Sequence, residues 1–547
     1  MSLLPCRNLL LPAWVAVVLA FLGFVAKAAQ SSPAVGSRPG SSVSPPNFLV
    51  ILADDMGYSD PGCFGGEIRT PHLDGLAAGG LRFTQFYNTA RCWPTRSALM
   101  TGYYPQQIRM DPPSGRLPRW ALTLPQRLKP LGYRSYQSGK WHVPGAPRVG
   151  ADGGFDHSYE LTDHDRNFHP RRIVEDDKPL PPVGTNANFY TSTAFADHLI
   201  RCLREHATNH AGRPFLAYLA FTVPHFPLQA PVEDIDRCRD RYQVGWDAIR
   251  EQRWNRQKQL GIPRSTLGAR DEDLYPYWNL SEAGLRQKID PNEVGRALPW
   301  KELTEAQRRF QATKMAIHAA MVERMDREIG RVLDQLRSMG AFENTVVLFA
   351  SDNGASAEQI VRGDLHDASA PPGSGPSYLC LGPGWSTAAN TPMRLHKSWV
   401  HEGGIATPLI VHWPAGIRAR GELRRGVGHV IDIVPTLVEL AGGVAAPAEQ
   451  GPSLPGRSLA AAFSRDVPVH RDALYFHHDS NRALRLGDWK IVSRRPETNR
   501  WSLYRMDRDR GETKDLAESH PRRVRAMGAL WRRLEDTYRA QPGPAAK

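Results

Sequence analysis

Four short apolar runs set the frame of this 547-residue chain, and three of them stop at polar or acidic residues. Residues 47–52 run into Ala53-Asp54-Asp55, residues 215–221 end near His225, and residues 345–350 end at Asp352-Asn353; residues 409–411 form the fourth. An uninterrupted apolar strand offers no face to water, so it is buried on both sides, as strands of parallel sheets are. Helical segments lie between the runs. The clearest covers 304–339: Thr304 and Gln307 make a capping box, Met315, Val322, Met325, Ile329, Val332 and Leu336 share one stripe, and Gly340 closes it. Strands alternating with helices predict an α/β fold on a large mixed, mostly parallel sheet flanked by helices. In such sheets ligands gather at the carboxyl ends of strands, where this sequence places its acidic pairs.

The tail has a different pattern. A Gly-, Pro- and Ala-rich stretch over 442–456 precedes three short aromatic segments, 473–476, 489–492 and 501–504, which predict a small antiparallel sheet followed by a helix over 522–540. The expected organisation is a catalytic domain over 47–441 and a smaller α+β subdomain over 442–547. Residues 354–396 are Pro- and Gly-rich and long for a loop inside a compact domain, which marks a functional segment. Its part over 354–390 is expected to form a rim above the site, with Tyr378 and Trp385 stacking on a sugar or aryl ring.

At the start of the chain, Arg7, an apolar run over 9–25 and Ala26-Lys27-Ala28 have the pattern of a cleavable export signal over residues 1–28. The alternative is an uncleaved anchor, for which the run is short. Residues 29–46, rich in Ser, Pro and Gly, read as a flexible lead. The expected location is therefore the periplasm or the extracellular space. The formal charge is +13, and loss of residues 1–28 removes Arg7 and Lys27 and no acid, leaving +11. Such a surface draws polyanions. No nucleic-acid-binding pattern accompanies it, so nucleic acid is not an expected partner. Cys6 leaves with the signal, and Cys63, Cys92, Cys202, Cys238 and Cys380 remain. An odd number implies a cysteine with some fate other than an internal disulfide, and pairing among the four besides Cys92 is open.

The residues that carry chemistry fall in blocks. Cys92-Trp93-Pro94-Thr95-Arg96 is followed by Leu99, Thr101 and Gly102. Pro94 suits the first turn of a helix, so residue 92 is expected at a helix N-terminus, where free N–H groups and the dipole attract a tetrahedral anion. Asp54-Asp55 and Asp352-Asn353 end separate strands; adjacent carboxylates repel unless a cation compensates them. Oxygen ligands alone fit Ca²⁺ or Mg²⁺ rather than zinc. Further blocks are Gly139-Lys140-Trp141-His142, Pro224-His225-Phe226-Pro227, and Lys397 ahead of Glu402-Gly403-Gly404.

Taken in their order along the chain, the blocks resemble the type I, formylglycine-dependent sulfatases. The signature C-x-P-x-R-x-x-L-x-T-G is matched at every fixed position from Cys92 to Gly102, and the resemblance runs from Asn47 to about Asp515. It implies an alkaline-phosphatase-like fold and hydrolysis of sulfate monoesters, as in secreted arylsulfatases, on a sulfated small molecule or carbohydrate. Cys92 would be oxidised to formylglycine by a separate maturation enzyme, and one hydroxyl of its hydrate would attack sulfur. One divalent cation, Ca²⁺ with Mg²⁺ as the alternative, would be held by Asp54, Asp55, Asp352, Asn353 and residue 92. Lys140 and Lys397 would hold the sulfate oxygens, Arg96 would position the hydrate and Asp352 would take the attacking hydroxyl's proton. His225 would protonate the leaving oxygen, helped by Lys397. His142 would take the second hydroxyl's proton, expelling sulfate and restoring the aldehyde. The segment between Asn353 and Lys397 is longer than in compact members of the family, so Lys397 is aligned through Glu402-Gly403-Gly404. Two other readings fit the same residues: a formylglycine-dependent phosphate or phosphonate ester hydrolase, and a secreted polyanion-binding protein with a dead site.

Overall fold

The computed structural model describes residues 44–185, 188–262, 266–445, 451–497 and 500–541; the expected export signal and most of the expected lead over 29–46 lie outside them. Strands of the large sheet are, in chain order, β1 (Asn47–Ala53), β2 (Leu81–Tyr87), β3 (Arg134–Gly139), β4 (His157–Leu161), β5 (Ile173–Glu175), β6 (Lys178–Leu180), β7 (Phe215–Ala220), β8 (Thr345–Ser351), β9 (Ala406–His412), β10 (Glu422–Arg424) and β11 (Gly428–His429). Their spatial order is β10-β2-β9-β8-β1-β7-β3-β4-β5-β6, with β11 also pairing β2. The central strands β8, β1, β7, β3 and β4 are mutually parallel. The fourth apolar run is β9, antiparallel to both β8 and β2.

Burial on both faces follows from side-chain alternation. In β1, Leu49, Ile51 and Ala53 enter one core while Phe48, Val50 and Leu52 enter the other, and β7 and β8 divide in the same way. The helix Glu305–Ser338 covers the first of these faces. Thr304 caps it as expected: the Gln307 N–H donates to Thr304 Oγ1 at 3.2 Å and the Thr304 N–H donates to Gln307 Oε1 at 2.9 Å. Its stripe from Met315 to Leu336 is wholly buried, each large side chain contributing about 1.5–3 kcal/mol. The opposite face receives the helices Cys92–Thr101 and Ile433–Leu440.

The C-terminal sheet is antiparallel and has four strands, β12 (Leu474–His478), β13 (Asn481–Leu486), β14 (Trp489–Ser493) and β15 (Ser502–Arg505). Three were expected; β13 was hidden because Arg482 and Arg485 give it a polar look. Arg485 instead turns into the protein and donates to the Tyr87 hydroxyl at 2.5 Å and to Gln85 Oε1 at 2.7 Å. Lys490 of β14 is buried between Glu402 and Glu512, 2.9 Å from each, which ties this sheet to the segment beside β9. The helix Pro521–Ala540 lies on it, with Trp531 Nε1 donating to the Phe476 carbonyl at 3.1 Å. No disulfide joins any of Cys63, Cys92, Cys202, Cys238 and Cys380 among the described residues. Among the described residues no helix is long and apolar enough to cross a membrane.

Candidate active site

Residue 92 opens the helix Cys92–Thr101 directly, with Arg91 in extended backbone as its N-cap. Pro94 is the third residue, where a missing N–H costs no helical bond. The helix ends at Gly102, whose φ of 78° suits glycine and whose absent Cβ would meet Leu454 at 2.8 Å. Cys92 is buried at the positive end of the dipole. Burial pushes its thiol up, against the pull of Lys140 and Lys397.

The acidic pairs converge because β1 and β8 are adjacent, parallel and in register, Ala53 opposite Ser351. Asp54 and Asp352 therefore leave the sheet together. The Asp55 N–H donates to Asp352 Oδ1 at 3.3 Å, and Asn353 Nδ2 donates to Asp55 Oδ1 at 2.6 Å. Asp55 takes a left-handed φ of 63°, unusual for a non-glycine residue and frequent at functional turns.

Three cations meet these carboxylates. Arg96, wholly buried, donates through Nε to Asp352 Oδ2 at 2.9 Å and through Nη1 to the Lys140 carbonyl at 2.7 Å. Lys140, just beyond β3, places Nζ 2.5 Å from Asp54 Oδ2. Lys397 Nζ sits 2.9 Å from Asp55 Oδ2 and 2.9 Å from Glu358 Oε2. His225 follows β7, with Nδ1 2.5 Å from the Phe226 carbonyl and Nε2 3.6 Å from Asp55 Oδ2. His142 is half-buried, its φ is 52°, and its ring lies between Trp93 and His164 at centroid distances of 6.0 and 5.2 Å.

Burial and the neighbouring Asp54 carboxylate push Asp352 up to about 7. Burial acts on Asp54 in the same sense, but Lys140, His225 and Arg96 outweigh it and hold that carboxyl below its usual range. His142 and His225 are pulled well below 6.5, first by burial and then by the lysines around them. Lys397 is held charged by Asp55 and Glu358 despite its burial.

A divalent cation fits this constellation. Among the described residues, Asp54 Oδ1 and Asn353 Oδ1 are buried without hydrogen-bond partners, and the donors around them are carboxylates and an amide, a hard-oxygen set. Asp54, Asp55 and His225 can bring ligand atoms within 4.8 Å of one another. Asp352 and Asn353 adjoin them through the contacts just given.

Two groups escaped the sequence reading. Glu358 binds Lys397, receives Arg91 Nη2 at 3.1 Å, and accepts from Trp278 Nε1 at 2.9 Å. Beside residue 92 opens a cavity of about 590 Å³, whose walls include Arg91, Trp93, Trp278, Glu358, Arg362 and His478. An isolated Glu or His carries no signal in sequence. The long segment after Asn353 does reach this cavity through Glu358, Ile360 and Arg362, but its aromatic residues do not. Trp385 is fully buried among Tyr242, Trp246 and Trp300 and donates to the Gln311 carbonyl at 2.7 Å. Tyr378 is fully buried as well, packed 6.2 Å from Phe226. The expected stacking role is therefore wrong for both: their apolar area found partners inside. The tryptophan and tyrosine side chains that line the cavity are Trp93, Tyr277 and Trp278.

Known proteins match this chain over most of its length. The sulfatase family model matches residues 46–444, and a model of the N-sulphoglucosamine sulphohydrolase C-terminal region matches 394–540. An uncharacterized sulfatase of Schizosaccharomyces pombe is 33% identical over 89% of this chain and 92% of its own. The arylsulfatase of Klebsiella aerogenes is 33% identical over 76% of this chain and 90% of its own. Among solved structures, one of a protein in complex with its substrate D-glucosamine-2-N,6-O-disulfate has a TM-score of 0.60 at 19% identity, covering 91% of this chain and 100% of its own. Another, in complex with a neocarrahexaose, has a TM-score of 0.64 at 22% identity, covering 92% and 95%.

Proposed function

The chain belongs to the sulfatase family, and we propose that it hydrolyses sulfate monoesters of carbohydrate with residue 92 oxidised to formylglycine and one divalent cation, Ca²⁺ before Mg²⁺, at Asp54, Asp55, Asp352 and Asn353. It is a sulfuric ester hydrolase; what is proposed is the chemistry and the substrate class. One observation carries the reading: residue 92 sits buried at a helix N-terminus with two lysines, a guanidinium and three carboxylates around it. That is an anion site next to a nucleophile position.

In hydrated form, formylglycine supplies two hydroxyls on one carbon, which a thiol lacks, and a bound divalent cation supplies charge neutralisation at the ester oxygens. The chain's own groups do the rest. Lys140 and Lys397 bind sulfate oxygens, and Arg96 fixes Asp352 so that its other oxygen accepts the attacking hydroxyl's proton. His225 keeps its Nδ1–H on the Phe226 carbonyl, so the proton it gives the leaving oxygen from Nε2 is the one it carries as imidazolium, a state that the negative charge of the bound sulfate ester favours, with Lys397 assisting. His142, kept neutral by burial, accepts a proton from the second hydroxyl. Burial of these groups excludes water and strengthens each contact.

A carbohydrate substrate is supported by relatives named for it, such as the N-acetylgalactosamine-6-sulfatases, and by the basic charge, which draws sulfated polymers. We place the protein in the periplasm or outside the cell after removal of residues 1–28, matured by a formylglycine-generating enzyme. The division into a catalytic domain over 47–441 and a smaller unit over 442–547 belongs to the same reading.

The test is the mass of the peptide containing residue 92, measured alongside turnover of an aryl sulfate, an aryl phosphate diester and a phosphonate monoester. Formylglycine at residue 92, a preference for the sulfate, and loss of turnover in Cys92→Ala are expected. Full activity with residue 92 entirely cysteine would end the mechanism, and a preference for either phosphorus ester would end the substrate assignment.

A further inference from the structure

The cavity beside residue 92 takes one wall from the tip of the C-terminal sheet. His478 pairs with Asn481 across the β12–β13 ladder, so only Asp479 and Ser480 form the turn, at φ of 47° and 59°. Positive φ at both central residues matches the twist of flanking strands in a two-residue hairpin. Serine is a strained choice there, and such strain persists where surrounding structure holds it. Asn481 Nδ2 supplies that hold by donating to the Ser398 carbonyl at 3.0 Å, one residue beyond Lys397. The hairpin tip is thus fixed against the site.

His478 lies buried on this wall, its ring edge-on to Trp93 at 5.6 Å. Its Nδ1 is 3.0 and 3.2 Å from the two oxygens of Asp111, itself buried and approached by Gln106 Nε2 at 3.5 Å. The carboxylate can only accept, so Nδ1–H donates to it, and in the neutral ring Nε2 is the acceptor. No hydrogen bond reaches Nε2 among the described residues. Sulfate chemistry, as derived above, uses neither His478 nor Asp111. A fixed acceptor in a cavity walled by Trp93, Tyr277 and Trp278, each with one ring face taken by the Arg91 or Arg495 guanidinium, suits a sugar ring, whose C–H groups pack on aromatic surface and whose hydroxyls need placed partners. A plain aryl group has nothing to donate to Nε2.

We infer that the Asp111–His478 pair is a specificity determinant: Nε2 accepts a hydrogen bond from a hydroxyl of the sugar that carries the sulfate, and Asp111 sets the tautomer. This rests on the sulfate-ester reading above. The experiment measures kcat/KM of the formylglycine-bearing enzyme and of His478→Ala and His478→Gln for 4-nitrophenyl sulfate, N-acetylgalactosamine 6-sulfate and glucosamine 6-sulfate, with a thermal melt of each variant. The wild type should turn over at least one sugar sulfate, and in His478→Ala the sugar-to-aryl ratio should fall by about tenfold. Glutamine keeps an acceptor at the position of Nε2 and should restore most of the ratio, whatever the melt shows. An unchanged ratio in His478→Ala, or a wild type active on the aryl ester alone, overturns this inference and leaves the sulfatase reading intact. A wild type with formylglycine and no activity on any of the three sulfates overturns that reading itself.

Discussion

Glu358→Gln tests how Lys397 is held. The ammonium is buried between Asp55 and Glu358 at 2.9 Å from each, and Glu358 also faces Arg91 at 3.1 Å. At an effective dielectric near 20, unit charges 2.9 Å apart attract by about 6 kcal/mol, most of which desolvation offsets. Removing one partner of a buried pair typically costs about 3–5 kcal/mol. Glutamine keeps an acceptor and Lys397 keeps Asp55, so the low end is expected, about 3 kcal/mol in urea unfolding. With Asp55 as its sole carboxylate partner the ammonium shifts toward that oxygen, and kcat/KM for an aryl sulfate should drop about tenfold. Acid adds a second readout. Burial alone would raise Glu358, but Lys397 and Arg91 outweigh it and hold the carboxyl well below its ordinary 4.5. A depressed carboxyl stabilises the fold above its unfolded-state pKa and loses that contribution as pH falls, so the gap between wild type and variant should narrow below about 4.5. Equal unfolding midpoints and equal turnover would show that Glu358 does not position Lys397.

Two further outcomes are expected. A strong chelator should lower activity and melting temperature together, Asp54→Ala should reproduce both, and metal analysis should find calcium or magnesium; stoichiometric zinc, or a melt unmoved by chelation, would refute the oxygen-ligand assignment. Trp385→Ala should cost about 3–5 kcal/mol through the cavity it leaves among Tyr242, Trp246 and Trp300 and should reduce aryl and sugar sulfate turnover alike; a selective loss on the sugar would return Trp385 to the rim.

The sequence alone determined the parts governed by short-range rules. Residues 47–52 and 345–350 are apolar without interruption, so they had to be buried strands, and polar residues at their ends had to face the sheet's carboxyl edge. The Thr304–Gln307 box and the helix start at residue 92 were likewise legible, because capping and proline placement act within one turn. Tertiary structure decided what depends on contacts between distant segments. Gly and Pro in the segment after Asn353 signal irregular backbone, yet only the arrival of Trp246 and Trp300 made Trp385 a core residue rather than a rim. Glu358 became the partner of Lys397, and His478 a wall of the cavity, only when the chain closed on itself. A lone charged or imidazole side chain has no periodicity to betray it; its role is set by which groups lie within a few ångströms, and that is a property of the packed molecule.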